Sequence, residues 1–219
     1  MKILAVDTAL GACSVAVLDD ARVLAHRFVI MERGHAEALA PMVEEAIQAS
    51  GIGFADLDRL AVTTGPGTFT GQRVGLAFMR GLRVALKKPL VGITTLEAMC
   101  AAAMAEAGTS YAAAIHDARR EEAYLAVVST DASPVAPEIL AMSDVPGRIA
   151  RAVPQNAAIA LAGTGAERIA GRIPSARLTS IHQPDALWVA RLAAYAPESS
   201  EAPHPLYLRA PDAKLPVSA

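Results

Sequence analysis

Three groups of residues have the types and spacing to do chemistry. The first is Gly65-Pro66-Gly67-Thr68-Phe69-Thr70-Gly71, with Gly75 a turn further on. It follows a β-like run at 60–63 and opens a helical pattern that lasts until Pro89. Such a strand–turn–helix unit can hold a phosphate, because the first amides of a helix are unpaired donors. The second is Asp7-Thr8-Ala9, at the end of an apolar run. An acid there can face a metal and a phosphate, or can simply cap its own turn. The third is Gly163-Thr164-Gly165 between a strand and a helix. It lets a nucleotide approach the backbone, or serves only as a tight turn. No Walker A lysine, full GxGxxG, GxSxG or CxxC accompanies them. His26, His35, His116, His182 and His204 make no HxxxH pair, so no metal site and no activated nucleophile is expected.

The helical pattern after Thr70 carries a second signal. At 100° per residue, Gly71, Gly75, Phe78, Leu82 and Leu86 share one face, flanked by Val74 and Met79. That face either packs on the chain's own sheet or admits a partner helix, since small residues four apart let backbones approach. Arg73, Arg80, Arg83 and Lys87 fall on the opposite side, and no acid lies between Asp58 and Glu97. This basic stripe reads as a solvated face or as a contact for tRNA or an acidic partner. The preceding helix at 35–50 has Leu39 and Val43 on its apolar face and Glu37, Glu44 and Glu45 outside. Pro41 removes one of its backbone donors, and Gly51 closes it.

The elements that position these groups form a repeated order. Strands are expected at 2–7, 13–18, 23–30, 60–63 and 90–93, with helices at 35–50 and 70–88. Strands at 111–115, 123–129, 139–142 and 158–162 and helices at 143–152 and 166–172 repeat β-β-β-α-β-α. Ser143 and Asp144 suit capping of the helix at 143–152. A further helix spans 185–196, and the Pro-dotted tail from about 197 is expected to be irregular and to pack back on the first lobe. Its last residues are expected to be disordered. Two related α/β lobes around a cleft follow, divided as 1–103 and 104–219. The 219 residues give ample core, built from Ala, Val, Leu and Ile, since aromatics are only 4%. A net charge of −2 does not by itself indicate a nucleic-acid or membrane protein. No run reaches a membrane span, and Asp7 comes too early for a signal peptide. Cys13 and Cys100 in apolar contexts read as reduced, buried thiols of a cytoplasmic protein.

At this point the residues resemble a family. Ile3-Leu4-Ala5-Val6-Asp7-Thr8-Ala9 with Cys13-Ser14-Val15-Ala16-Val17 is similar to the opening of the TsaB (YeaZ) family. Gly65 to Gly71 with Arg73-Val74-Gly75 resembles that family's signature. Asp117-Ala118-Arg119-Arg120 with Tyr124, and Pro205-Leu206-Tyr207-Leu208-Arg209, resemble later motifs. Glu121 departs from the pattern, standing where the family usually has glycine, so the turn there is expected to differ in shape. The resemblance implies an actin-like, two-lobed ASKHA fold, in agreement with the repeated order. It implies a non-catalytic partner in the making of N6-threonylcarbamoyladenosine in tRNA. The catalytic paralogue TsaD performs the transfer, and the ATPase TsaE joins the complex. Where TsaD reads His-Leu-Glu-Gly-His, this chain reads Thr95-Leu96-Glu97-Ala98-Met99. Both histidines are absent. The family contact with TsaD, also used for a homodimer, implies an interface at Leu39, Val43, Gly71, Gly75, Phe78 and Met79. No cofactor is implied, and tRNA is met through the assembled complex. The rival reading is an actin-like nucleotide-binding enzyme, an ATPase or kinase, using Asp7, Thr8, Gly163 and Gly165.

Overall fold

The structure, a computed structural model, describes residues 1–209. The expectation of disorder at the chain's end falls on 210–219, outside the described residues. The first half runs β1 (Lys2–Asp7), β2 (Ala12–Asp19), β3 (Arg22–Ile30), α1 (His35–Ser50), β4 (Arg59–Thr63), α2 (Phe69–Leu86), β5 (Leu90–Ile93) and α3 (Thr95–Ala107). The second runs β6 (Tyr111–Asp117), β7 (Glu122–Ser129), β8 (Val135–Ala141), α4 (Val145–Ala152), β9 (Ile159–Ala162), α5 (Ala166–Ala170), β10 (Ala176–Leu178) and α6 (Ala186–Ala193).

Each half builds a five-stranded sheet, in the orders β3-β2-β1-β4-β5 and β10-β9-β6-β7-β8. The first three strands of each half pair antiparallel, and the fourth and fifth add in parallel. Read in chain order, the two sheets therefore have one topology, the actin-like arrangement.

Strand alternation assigns the cores. On β1, Leu4 and Val6 face α1 and α2, where they join Leu39, Val43, Ile47, Leu76 and Met79. Ile3 and Ala5 face the other way, onto Ala186, Val189, Ala190 and Ala193 of α6. In the second sheet, Ile115, Leu125, Val127 and Leu161 meet α4 and α5. Ala112, Ala114, Ala126, Ala160 and Ala162 meet Met99, Cys100 and Ala103 of α3. Alanines on that face let α3 approach closely. A cut at residue 103 or 104 falls inside α3, which is continuous.

Several local signals operate as read. Gly51 closes α1 at φ 73, and Asp20 turns the β2–β3 hairpin at φ 51. Asp144 is a correction: it precedes α4, but its side chain makes no cap bond and accepts from Ser143 Oγ instead. β10, three residues long, had no periodicity by which to be anticipated.

Candidate partner-docking site

In the loop that opens α2, the amides of Thr68, Gly71 and Gln72 are bonded within the chain. Thr68 Oγ1 accepts from Gly71 N at 3.0 Å, as an N-cap should. Thr68 N donates to Ala9 O at 2.8 Å, and Gln72 N donates to Thr68 O at 3.1 Å. These amides are spent within the chain.

Gly71 and Gly75 face inward. Thr8 at the end of β1 lies against them: its hydroxyl donates to Gly71 O at 2.7 Å and accepts from Gly75 N at 3.0 Å. A Cβ on Gly71 would fall on Thr8 O, and one on Gly75 would lie 2.7 Å from Thr8 Oγ1. The notch therefore receives the chain's own backbone. Leu39, Val43 and Met79 are core residues with at most 1% exposure. Phe78 is half-buried against the same core. This corrects the implied interface for Leu39, Val43, Gly71, Gly75 and Met79, which are buried within the chain, whereas Phe78 stays partly exposed.

The outer side of α2 is different. Ala77, Gly81 and Ala85 are exposed at four-residue spacing, and nothing lies within 4 Å of a Cβ placed on Gly81. Val84 beside them is 78% exposed. On α1, Ala36, Ala40 and Pro41 are exposed, with Glu37, Glu44 and Glu45. The open small-residue face of this helix pair is thus Ala77–Gly81–Ala85. Its signal was present in the sequence, in the same spacing as Gly71 and Gly75. Nothing local distinguished the two faces, because the strand end that fills one lies more than sixty residues away.

The basic flank lies along the C-terminal segment. Arg73 Nε donates to Tyr207 Oη at 2.9 Å, and its guanidinium lies 3.4 Å from the Phe69 ring centre. Arg80 donates to Pro203 O at 2.5 Å and Arg83 to Ser200 O at 2.6 Å. Lys87 ends the helix in a left-handed conformation, exposed. Residues 200–207 therefore run along α2. Buried Arg59 fixes the start of this segment through Ala193 O, Ala196 O and Glu198.

The residues considered for a nucleotide also turn inward. Asp7 is fully buried; its Oδ1 accepts from Thr63 Oγ1 at 2.6 Å and Ala9 N at 3.2 Å, while Oδ2 has no partner among the described residues. Burial pushes its carboxyl up to about 7. Gly163 N donates to Ile181 O at 2.7 Å and Gly165 N to Ile115 O at 2.9 Å. A Cβ on Gly163 would fall on Ile115 O. The Thr8 hydroxyl and the Gly163 and Gly165 amides are bonded within the chain, and the unpartnered Asp7 Oδ2 is buried. Nearby, burial pushes the His116 imidazole down to about 4. Cys13 and Cys100 are buried free thiols, pushed up to about 11 and 12.

Thr94 and Glu97 form a capping box at the start of α3, and Thr95, Leu96 and Met99 are buried. Arg119, Arg120 and Glu121 all have positive φ, at 63°, 56° and 58°. Glu121 keeps the left-handed conformation that glycine favours, and its side chain pairs with Arg168 at 2.6 Å. The backbone thus has a glycine-like shape in spite of the substitution. Among the described residues no helix is long and apolar enough to cross a membrane.

A family model described as TsaD, tRNA N6-adenosine threonylcarbamoyltransferase, matches residues 29–183. The chain is 40% identical over 131 residues to the tRNA threonylcarbamoyladenosine biosynthesis protein TsaB of Escherichia coli, covering 60% of this chain and 56% of that protein. It is 37% identical over 128 residues to the Haemophilus influenzae protein of the same name, covering 58% and 54%. The chain thus spans about half the length of these curated relatives. The solved structure of YeaZ from Pseudomonas aeruginosa overlays with a TM-score of 0.79 at 32% identity, across 94% of this chain and 99% of that one. With one topology, shared signatures and this near-complete overlay, the chain belongs to the TsaB (YeaZ) family.

Proposed function

We propose that the chain is a non-catalytic partner subunit in the making of N6-threonylcarbamoyladenosine in tRNA. It docks on the transferase TsaD through the outer faces of α1 and α2, supports the active form of that enzyme, and offers a platform to the ATPase TsaE. Alone, it pairs with a second copy through the same faces. The observation that carries this reading is the bare Ala77–Gly81–Ala85 face beside exposed Val84, on a helix whose inner side is filled by the chain's own core. Small residues at this spacing let two helices approach closely. The family names of the relatives supply the pathway. The inward-turned Asp7, Thr8, Gly163 and Gly165 support a role without chemistry of its own.

The test is co-purification with TsaD of the same organism, followed by a modification assay with this chain omitted. Gly81→Leu should weaken TsaD capture at least about tenfold, roughly 1.4 kcal/mol, with the thermal midpoint nearly unchanged. Capture that is unaltered by Gly81→Leu would remove this assignment of the surface. Modification that proceeds equally well without the chain would remove the function.

A further inference from the structure

We propose that the flank of α2 facing the C-terminal segment is a contact for single-stranded RNA, made by Arg73, Arg83 and Lys87 with Phe69 and Tyr207. The inference rests on the reading above for the presence of RNA near this chain, and goes beyond it by giving this chain its own contact.

Cations and aromatics come together here although both signals are weak in the chain as a whole. Phe69 and Tyr207 are 60% and 47% exposed, and their rings stack at 6.2 Å. Arg73 lies against both, 3.4 Å and 5.8 Å from the ring centres. Arg83 and Lys87 continue the line, about 21 Å from Arg73 to Lys87 at 1.5 Å per residue. Among the described residues, Arg73 and Arg83 donate only to neutral oxygens, those of Tyr207 and Ser200. Each uses a single one of its five N–H groups in those bonds, so most donors stay available. A phosphate would turn neutral bonds into charge-assisted ones, about twice as strong. Arg80 acts differently, holding Pro203 O and His204 Nδ1 and so keeping Tyr207 against Phe69. Exposed aromatic faces beside a line of cations suit bases and phosphates together. An acidic peptide would use the cations and leave the rings idle, which is why RNA is favoured.

The test is fluorescence anisotropy of the full chain with a labelled, unstructured oligouridine, at about 50 mM salt and upward. Three phosphate contacts predict a log–log salt slope of about −2, from ~0.7 per contact on a single strand. Lys87→Ala and Arg73→Ala should each lower affinity and flatten the slope by about 0.7. Tyr207→Leu should lower affinity about fivefold or more, the loss of one stacked base, without changing the slope. No binding at low salt, or variants without effect, overturns the proposal. A polyglutamate peptide bound as tightly as the RNA would also overturn it and assign the flank to an acidic protein. Gly81→Leu lies off this patch and should leave RNA affinity unchanged. Failure of the docking reading and failure of this one are therefore distinguishable.

Discussion

At the scale of single residues, three glycines on one helix have opposite fates. Gly71 and Gly75 make room for Thr8, so any side chain there strikes backbone or a bonded hydroxyl. Gly71→Ala is expected to destabilise the fold by about 3 kcal/mol or more, because neither β1 nor α2 can move away cheaply. Gly81→Ala meets empty space and should stabilise by up to about 1 kcal/mol through helix propensity. Thermal melts of the two variants check the contrast; equal effects would refute the placement of the notch. Asp7 gives a pH prediction. Burial raises its folded carboxyl to about 7, above the ordinary value of 3.8. Between those values only the folded state holds the proton, so stability is full below about 4 and falls as pH rises through 7. Each such pH unit is worth ~1.4 kcal/mol, a few kcal/mol in all. Asp7→Asn removes the ionisation while keeping an acceptor for Thr63 and Ala9. It should be more stable than the parent at pH 8, with an advantage that shrinks as pH falls and is gone by about pH 4. A parallel decline of both proteins with pH would contradict this.

Secondary elements were largely legible, because hydrophobic periods and glycine or proline stops mark them. The 35–50 helix and the strand at 90–93 fall where their patterns placed them. What sequence could not show was which face of α2 meets solvent. The wheel gives relative faces, whereas Thr8 and residues 200–207 decide which are filled. A shared device also emerges only in three dimensions. The end of β1 packs on Gly67 and Gly71, and the end of β6 packs on Gly163 and Gly165. In both halves a carbonyl, Ala9 O or Thr8 O in one and Ile115 O in the other, occupies the space of a missing Cβ. The glycines read as ligand loops are the fittings of a repeated strand–turn–helix joint. The segment after α6 has its own logic. No residue between 194 and 209 is fully buried, so arginine bonds hold it more than burial does. Arg80→Ala should release it, raising amide exchange in residues 199–207 severalfold while leaving β1 and β4 unchanged. Unchanged exchange there would mean that Arg59 and the bond from Leu206 N to Thr64 O at 2.7 Å suffice to hold it.

At the scale of the whole molecule, the two sheets exchange their inner helices. α3 follows β5 of the first sheet yet packs on β6, β7 and β9, in a core of Met99, Cys100 and alanines. α6 follows the second sheet yet covers β1, β2 and β4 of the first. The order β-β-β-α-β-α therefore predicts the two sheets, but not that each depends on chain from the other half. A fragment of residues 1–109 would leave Ile3, Leu18, Val91 and Ile93 facing water. Each apolar side chain of that size loses ~1.5–3 kcal/mol of burial. Four of them approach the ~5–15 kcal/mol that a whole domain has in reserve. The fragment is expected to show no sharp thermal transition and to bind a hydrophobic dye, and mixing it with 110–219 should restore cooperative melting. If residues 1–109 melt alone as sharply as the intact chain, the lobes are independent. The docking face proposed on α1 and α2 would then belong to a free-standing domain. If they do not, a partner that grips α1 and α2 is coupled, through the first sheet and α6, to the arrangement of both lobes.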